Sequence, residues 1–424
     1  MIHLIYLTIS ILFLIFTIWL YYRHFELFLC LLIVINFEFF KILPPLGQFY
    51  AYRELLLPII AFCLLERFFF SGKKFEFGKY SKIVLFFLIM SFLGILNAFW
   101  HGQPLILGIK AAKYFPLILI YFVLINKEFD VDKFIKYLII LGFLISIIMI
   151  IQYLLWGKLY FIHFTSEELG KMRLGRPRIN IGAKFIALVG VISLGNFFKQ
   201  KRFIYFLFYL YSFAYIITIA QTRMLIFGML ICGFLLFILN MKITPLTINV
   251  ILATLCFAMP VSFIALKYAR QFELVKMTET EIKEKKGSYL ARINALKYYI
   301  KQIKKSPIVG YGLINFNWEK SPFPILQKRG IHIADIGIID LVYKFGLIGV
   351  GWLIAFMFMV FKDIIGNKTV CINISGYFLL IFSVMATLDF FTKVDRIFLL
   401  GIFLGILTII LKENSQNTIS YVEI

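Results

Sequence analysis

Residues 267–334 read KYARQFELVKMTETEIKEKKGSYLARINALKYYIKQIKKSPIVGYGLINFNWEKSPFPILQKRGIHIA. This stretch, called the long loop below, is the only long polar interruption in a chain that otherwise consists of one apolar run after another. It carries fourteen Lys and Arg residues against five Glu residues, a net charge of +9. The contrast predicts a bundle of membrane helices that holds one large basic loop outside the bilayer.

The composition of the whole chain supports that prediction. Of the 424 residues, 62% are hydrophobic and 16% are charged, whereas a soluble domain is about half apolar and about a quarter charged. The apolar runs reach the length of about 20 residues that a helix needs to cross a bilayer. They do not alternate as barrel strands would. We therefore predict an all-α polytopic membrane protein with about 12–13 transmembrane helices.

The predicted spans cover residues 2–20, 25–43, 55–70, 83–100, 105–126, 137–156, 182–198, 203–220, 224–240, 248–266, 336–361, 370–388 and 397–411. They divide the chain into three parts. Residues 1–266 form an N-terminal transmembrane helix bundle, 267–334 the long extracytoplasmic loop, and 335–424 the C-terminal transmembrane helices with a short cytoplasmic tail.

Basic loops set the orientation. Lys and Arg concentrate in loops on the cytoplasmic side of a membrane, and here they mark residues 71–82, 127–136, 199–202 and 361–368. Counting spans from these loops places the long loop outside.

The formal net charge of +22 would suggest nucleic acid in a soluble protein. In a membrane protein, basic residues orient helices and contact anionic lipid, so we predict membrane lipid and no nucleic acid as a partner. Orientation does not explain the positive charge of the outer loops. That charge indicates an anionic ligand, or else adhesion to lipid headgroups.

A helix is predicted within the long loop at residues 288–306. Ser288 is a plausible N-cap, and Pro307 would end the helix. Apolar residues recur at helical spacing, at Leu290, Ile293, Leu296, Ile300 and Ile303, with lysines mostly on other faces. Such a basic amphipathic helix would lie along the membrane surface. Beyond it, Gly310 and Gly312 permit a tight turn or a close backbone approach to a ligand.

Arg223 lies in a very short turn between two apolar spans, Ala220–Met224. An arginine at membrane depth is costly and usually has a partner or a water-lined cavity. It could be an anchor whose guanidinium reaches the interface. Alternatively it could bind a phosphate with two hydrogen bonds, which Arg does better than Lys.

Four other arginines have a similar ambiguity. Arg173, Arg176 and Arg178 occur within six residues just before a span, and Arg292 lies on the predicted amphipathic helix. They could grip a diphosphate, or they could be solvated basic residues.

His332 and Asp335 stand at the outer end of the span that follows the long loop. Either could accept the proton of an attacking sugar hydroxyl as a general base. Asp335 precedes an apolar helix and could also cap it.

Several of these segments together resemble the O-antigen ligase and O-antigen polymerase superfamily of bacterial envelope and capsule assembly. The basic segment Arg173–Asn180 looks like the family's Arg…Asn stretch, and Thr222-Arg223 is similar to its Ser-Arg pair. The long loop supplies Arg292-Ile293-x-Ala295-Leu296, Pro307-x-x-Gly310-x-Gly312 and Asn315-Phe316, and Phe345-Gly346-Leu347-Ile348-Gly349 follows. The matches cover roughly residues 170–350.

The resemblance implies a membrane-embedded glycosyltransferase with a GT-C-like helical architecture in the bacterial plasma membrane. It implies no metal and no cofactor. The donor would be an undecaprenyl-diphosphate-linked oligosaccharide, bound through Arg223 and Arg292, and a chain-length regulator could be a partner. The family's base is a His in a His-Asn motif, but here Asp335 stands at that spacing and His332 lies three residues earlier. This departure favours Asp335 slightly as the base, and a polymerase over a ligase.

The sequence therefore predicts a polysaccharide polymerase that joins lipid-linked repeat units on the outer face of the plasma membrane. Three alternatives stay open. One is a ligase that transfers the glycan to another acceptor. The second is a transporter or flippase for lipid-linked saccharide; such proteins usually carry internal repeats and charges near the bilayer midplane, and neither is clear in this sequence. The third is a structural protein of membrane assembly.

Overall fold

The computed structural model describes residues 2–37, 52–70, 72, 74–160, 172–173, 176–241, 280, 283–284, 287–328, 331, 336–385 and 391–422. The predicted span 248–266 lies outside these residues, as do His332 and Asp335.

Helices account for most of the described chain. The α-helices are α1 (Ile2–Arg23), α2 (Phe25–Asn36), α3 (Leu56–Leu65), α4 (Ser81–Trp100), α5 (Leu105–Ala112), α6 (Ile120–Ile125), α7 (Val131–Leu154), α8 (Ala183–Gln200), α9 (Phe203–Tyr215), α10 (Arg223–Asn240), α11 (Gly287–Ile303), α12 (Phe323–Lys328), α13 (Ile338–Gly366), α14 (Lys368–Val384) and α15 (Val394–Val422). Short 3₁₀ or π turns, Tyr52–Leu55, Glu66–Phe70, Phe115–Leu119 and Ile216–Ala220, extend several of them. A two-residue antiparallel hairpin pairs β1 (Met172–Arg173) with β2 (Arg176–Pro177).

The predicted fold class, an all-α polytopic membrane protein, is confirmed. Within the described residues, six helices are long and apolar enough to cross a membrane: α4, α7, α9 with its π turn, α10, α13 and α15. The bent pair Leu105–Ala112 and Phe115–Ile125, with 41° between its two parts, would make a seventh span. Every other predicted span outside 248–266 also contains a helix.

The centre of the bundle depends on close helix contacts. α8 packs against α9, α10 and α14. A Cβ on Gly195 of α8 would lie 2.8 Å from the Cα of Asn373, and one on Gly376 of α14 would lie 2.8 Å from the Val191 carbonyl oxygen. Small residues let membrane helices approach closely, because helix association in lipid depends on packing.

The basic loops share one end of the bundle, called the inner end below. The ion pairs there join Lys79 with Asp363 (2.6 Å), Lys133 with Glu26 (3.1 Å), Lys199 with Asp132 (2.8 Å) and Lys412 with Glu76 (2.7 Å). The C-terminal parts of α8, α13 and α15 therefore lie at the same end of the bundle. This agrees with the side that counting the predicted spans assigned to the basic loops. The opposite end, called the outer end, carries the described parts of the long loop and the hairpin.

Candidate functional site

The turn before α10 is held by the segment that leads into α8. The Arg178 guanidinium donates from Nε to the Ala220 carbonyl oxygen (3.0 Å) and from Nη2 to the Thr222 hydroxyl (3.3 Å). The Thr222 hydroxyl in turn donates to the Asn180 side-chain oxygen (3.2 Å). The two stretches that resemble the family, residues 173–180 and 222–223, thus contact each other directly.

Local geometry makes this turn unusual. The five-residue π turn Ile216–Ala220 ends at Gln221, which has a φ of 48°. Such a φ is uncommon outside glycine, and π turns are frequent at functional sites. Arg223 then begins α10 with its side chain half-buried. The Arg178 contacts fix the backbone from which the Arg223 guanidinium projects.

The other two arginines of the basic segment lie on the hairpin. Arg173 and Arg176 are paired in register across β1 and β2. The hairpin was not predicted, because two-residue strands leave no periodic pattern in a sequence.

The amphipathic helix of the long loop is α11, which runs from Gly287 to Ile303. Ser288 therefore lies inside the helix and is not its N-cap, and the helix ends four residues before Pro307. The buried face carries Ala295 and Tyr299, and Arg292 lies one turn before Ala295 on that face. This face packs against α13.

The predicted aliphatic stripe lies beside the buried face. Leu290, Leu296 and Ile300 are between 38% and 39% exposed. Ile303, the last residue of the predicted stripe, is partly buried and packs against the buried cluster that contains Tyr299. Contact of the exposed part of the stripe with the membrane surface stays a prediction.

Arg292 is placed by this contact between α11 and α13. Its Nε is buried and has no hydrogen-bond partner within the described chain. Tyr299 lies two turns further along the same face, and burial raises the pKa of its hydroxyl well above the usual range. Because such a phenol stays neutral and holds its proton, Tyr299 is a poor candidate for a general base.

A break in α13 receives the end of the long loop. Gly346 has a φ of 58° and a ψ of −147° inside an otherwise helical run. The amides of Leu347 and Ile348 donate to the Pro307 and Ile308 carbonyl oxygens (2.8 and 3.3 Å). The Tyr343 and Lys344 carbonyl oxygens, left free by the break, accept from the amides of Tyr311 and Gly312 (2.8 and 2.9 Å). The loop thus replaces the interrupted helical hydrogen bonds, which an apolar bilayer requires.

The motif glycines serve this junction. Gly310 and Gly312 have φ values of 69° and 76°, and a Cβ on Gly310 would lie 2.6 Å from the Tyr343 carbonyl oxygen. A Cβ on Gly312 would lie 2.5 Å from the amide nitrogen of Ala98. Both glycines therefore allow a close approach between two protein backbones within the described chain, whereas the sequence analysis had considered a tight turn or an approach to a ligand.

Asn315 fastens the same segment to the helices around residue 103. Its main-chain amide donates to the Gln103 side-chain oxygen (2.7 Å), and its side-chain amide donates to the Leu107 carbonyl oxygen (3.1 Å). The Gln103 side chain also donates to the Leu313 carbonyl oxygen (3.1 Å). Asn315 thus has a structural role in the motif.

A polar cluster on the outer half of α13 was not predicted from the sequence. Asp340 is fully buried, and its Oδ2 lies 2.6 Å from the Lys344 ammonium. Lys344 also donates to the Thr392 hydroxyl (2.7 Å), which donates to the same Asp340 oxygen. The signal was an Asp–Lys pair at i, i+4 inside an apolar run, where ionisable residues often mark functional sites.

The structure describes the start of α13 from residue 336 onward. Gly337 occupies the N-cap position of α13. Asp335 lies outside the described residues, so its role as a cap or as a base stays a prediction.

A family model described as O-antigen ligase matches residues 206–354. This match confirms the resemblance to the O-antigen polymerase and ligase superfamily. No curated protein matches the chain significantly.

The superfamily match covers Arg223, Arg292, the junction of the long loop with α13, and Asp335. Arg173, Arg176 and Arg178 precede it, but Arg178 contacts a turn within it. The match supports an O-antigen ligase or polymerase type of function in a multi-pass membrane protein.

Proposed function

We propose that this protein is a polysaccharide polymerase that joins undecaprenyl-diphosphate-linked repeat units on the outer face of the plasma membrane. The observation that carries the proposal is the turn at Thr222-Arg223, which Arg178 and Asn180 hold in place. The backbone from which the Arg223 guanidinium projects is thus held before a ligand arrives, so less ordering is needed when the guanidinium binds a diphosphate.

The reaction is a glycosyl transfer between two lipid-linked glycans. The acceptor hydroxyl oxygen attacks the anomeric carbon of the donor sugar, and the bond from that carbon to the diphosphate oxygen breaks. Undecaprenyl diphosphate leaves with the electron pair, and the hydroxyl proton passes to Asp335 or His332. A single displacement of this kind inverts the configuration at the anomeric carbon.

The arginines act on the leaving group. Arg223, Arg292 and the basic segment Arg173, Arg176 and Arg178 supply positive charge where negative charge develops on the diphosphate. In this proposal Arg223 and Arg292 contact the diphosphate, and Arg178 positions Arg223. Holding both substrates in order contributes much of the remaining acceleration.

The site is tested with purified protein, reconstituted in liposomes with lipid-linked repeat units. We expect chain growth to be lost in Arg223→Gln and Arg292→Gln, and retained in Arg202→Gln, which changes an exposed arginine between α8 and α9. Asp335→Asn and His332→Gln are compared separately, and the base is the residue whose change stops turnover. Full chain growth in both arginine variants would refute the assigned site.

The second candidate is a ligase that transfers the glycan to a different acceptor. The family match favours it as much as a polymerase. The Asp at position 335, where the superfamily resemblance leads one to expect His, is the reason for preferring the polymerase.

A further inference from the structure

A row of four aromatic rings runs from the buried face of α11 to the outer surface of the protein. Tyr299 of α11 meets Tyr343 of α13 edge to face, with 4.9 Å between the ring centroids. Tyr343 stacks on Tyr311 of the long loop, and Tyr311 stacks on His101, with 5.1 Å between the centroids of each pair. We call these four residues the aromatic row. None of them has a part in the reaction proposed above.

The aromatic row changes from core to surface along its length. Tyr299 and Tyr343 are buried, Tyr311 is half-buried, and His101, which directly follows α4, is exposed. The inner end of the row therefore packs the long loop onto the bundle. The outer end presents an aromatic ring to the space outside the membrane.

Hydrogen bonds hold the outer end of the row in place. The Tyr311 hydroxyl donates to the Gln302 side-chain oxygen on α11 (3.2 Å). Asn97, one turn before His101, donates from its side chain to the Gly310 carbonyl oxygen (2.8 Å), next to Tyr311. The end of α4 and the long loop are thus joined, so the two stacked rings are in position before a ligand arrives.

The chemistry of this outer end suits a sugar. The face of an aromatic ring is negative, and the C–H groups on one face of a sugar ring are positive because their carbons also bear oxygen. A sugar therefore packs flat on an aromatic ring. The ring nitrogens of His101, the Tyr311 hydroxyl and the Gln302 side chain add polar groups for the sugar hydroxyls. Ligand sites typically combine an aromatic surface with a few such groups.

The aromatic row also continues from the assigned site. Arg292 lies on the same buried face of α11 as Tyr299, seven residues earlier, which is about 10 Å along a helix. Three ring contacts then lead from Tyr299 to His101. The outer end is therefore too far from a diphosphate at Arg292 for the first sugar, and it suits a sugar further along the glycan.

We propose that His101 and Tyr311 bind the donor glycan: a sugar beyond the reacting one stacks on the exposed His101 ring, and Tyr311 holds that ring and offers its hydroxyl. The inference rests on the proposed function, because it takes the donor diphosphate to lie at Arg292. Binding energy from a part of the substrate that does not react helps to orient the reacting carbon.

Aromatic rings at a membrane surface can instead contact lipid headgroups. Trp100, which is 88% exposed, suits that role. His101 differs from it, because its ring is stacked on Tyr311 and so belongs to the junction between α4 and the long loop. The two neighbouring rings therefore provide a matched pair of variants.

The test measures glycan binding without lipid and without turnover. Full-length protein in phosphatidylcholine nanodiscs is titrated with the oligosaccharide released from the lipid-linked repeat units by mild acid, and binding is followed by saturation-transfer NMR. We expect saturable binding to the wild type. His101→Ala should bind about five- to tenfold more weakly, since an aromatic contact is lost. His101→Tyr, which keeps a ring, should bind as the wild type does.

Trp100→Ala is the control, and it should leave the affinity for the oligosaccharide unchanged. Tyr311→Ala should weaken binding as His101→Ala does. The melting temperature of each variant shows whether it is folded. If Tyr311→Ala is misfolded, His101→Ala decides the question, because the His101 ring is exposed.

Three results would overturn the inference. They are a wild type that does not bind the oligosaccharide, an unchanged affinity in folded His101→Ala, or an equal loss of affinity in Trp100→Ala. The last would assign the effect to general contact of aromatic rings at the membrane surface. Because binding is read without catalysis, bound oligosaccharide without chain growth would contradict the polymerase alone. Chain growth with an unchanged affinity in His101→Ala would contradict the glycan site alone.

Discussion

Arg178 shows how a residue that looks like a ligand contact can act through its neighbour. Its guanidinium bridges the Ala220 carbonyl and the Thr222 hydroxyl immediately before Arg223. The sequence predicts a basic segment near an arginine turn. It cannot predict which arginine faces the turn, because that depends on how α8 and α10 pack.

We predict that Arg178→Lys lowers the rate of chain growth about ten- to hundredfold, since a small displacement of Arg223 misplaces the diphosphate. Lys cannot reproduce the forked geometry of the two contacts. Loss of one hydrogen bond should lower the free energy of unfolding by only about 1 kcal/mol.

The rate is measured on reconstituted protein and the stability by thermal melting in detergent. Arg202→Lys, at an exposed inner position, is the control and should change neither quantity. A rate equal to that of the wild type in Arg178→Lys would show that Arg178 does not position Arg223.

Among the helices, α13 differs most from the structure that its sequence predicts. The apolar run 336–361 predicts one continuous span, and a span is present, but Gly346 breaks it and residues 307–312 repair the break. The glycines with positive φ are visible in the sequence, both in the long loop (Gly310 and Gly312) and in α13 (Gly346). It does not reveal that they meet, because the pairing joins residues about 35 positions apart in the chain.

We predict that Gly346→Ala destabilises the protein by about 3 kcal/mol or more. Its positive φ is unfavourable for alanine, and a Cβ would collide with the Ile308 and Pro307 carbonyl groups. Gly351→Ala in the same helix is the matched control. A Cβ there meets nothing within 4 Å, so this change should be neutral or gain about 0.5–1 kcal/mol.

Thermal melting of the two alanine variants, side by side in the same detergent, checks this prediction. Equal melting temperatures would mean that the break in α13 is not required for the fold.

For the whole molecule, the apolar periodicity and the basic loops predict most of the architecture. The helices appear at nearly all predicted spans, and the basic loops meet at one end. What the sequence does not reveal are the polar contacts between distant helices, such as Asp340 with Thr392 and Lys184 with Asp395. Single charged residues carry no periodic signal that identifies their partners.

Cysteine labelling tests the orientation. Cys30, Cys63, Cys232 and Cys371 are buried, so a Cys256→Ser parent should react weakly with a membrane-impermeant maleimide. Glu319→Cys in the long loop should react in intact cells. Lys201→Cys at the inner end should react only after permeabilisation. The reverse pattern would invert the proposed topology and place the site in the cytoplasm.

The central claim is that the protein makes glycosidic bonds between lipid-linked units. The most direct measurement supplies purified protein in liposomes with labelled undecaprenyl-diphosphate-linked repeat units alone. It follows both the length of the lipid-linked glycan and the release of undecaprenyl diphosphate. We predict a ladder of longer glycans that stay attached to lipid, with one undecaprenyl diphosphate released for each new bond. Repeat units that cross the bilayer without a new bond, or that are transferred only after a different acceptor is added, would contradict the account.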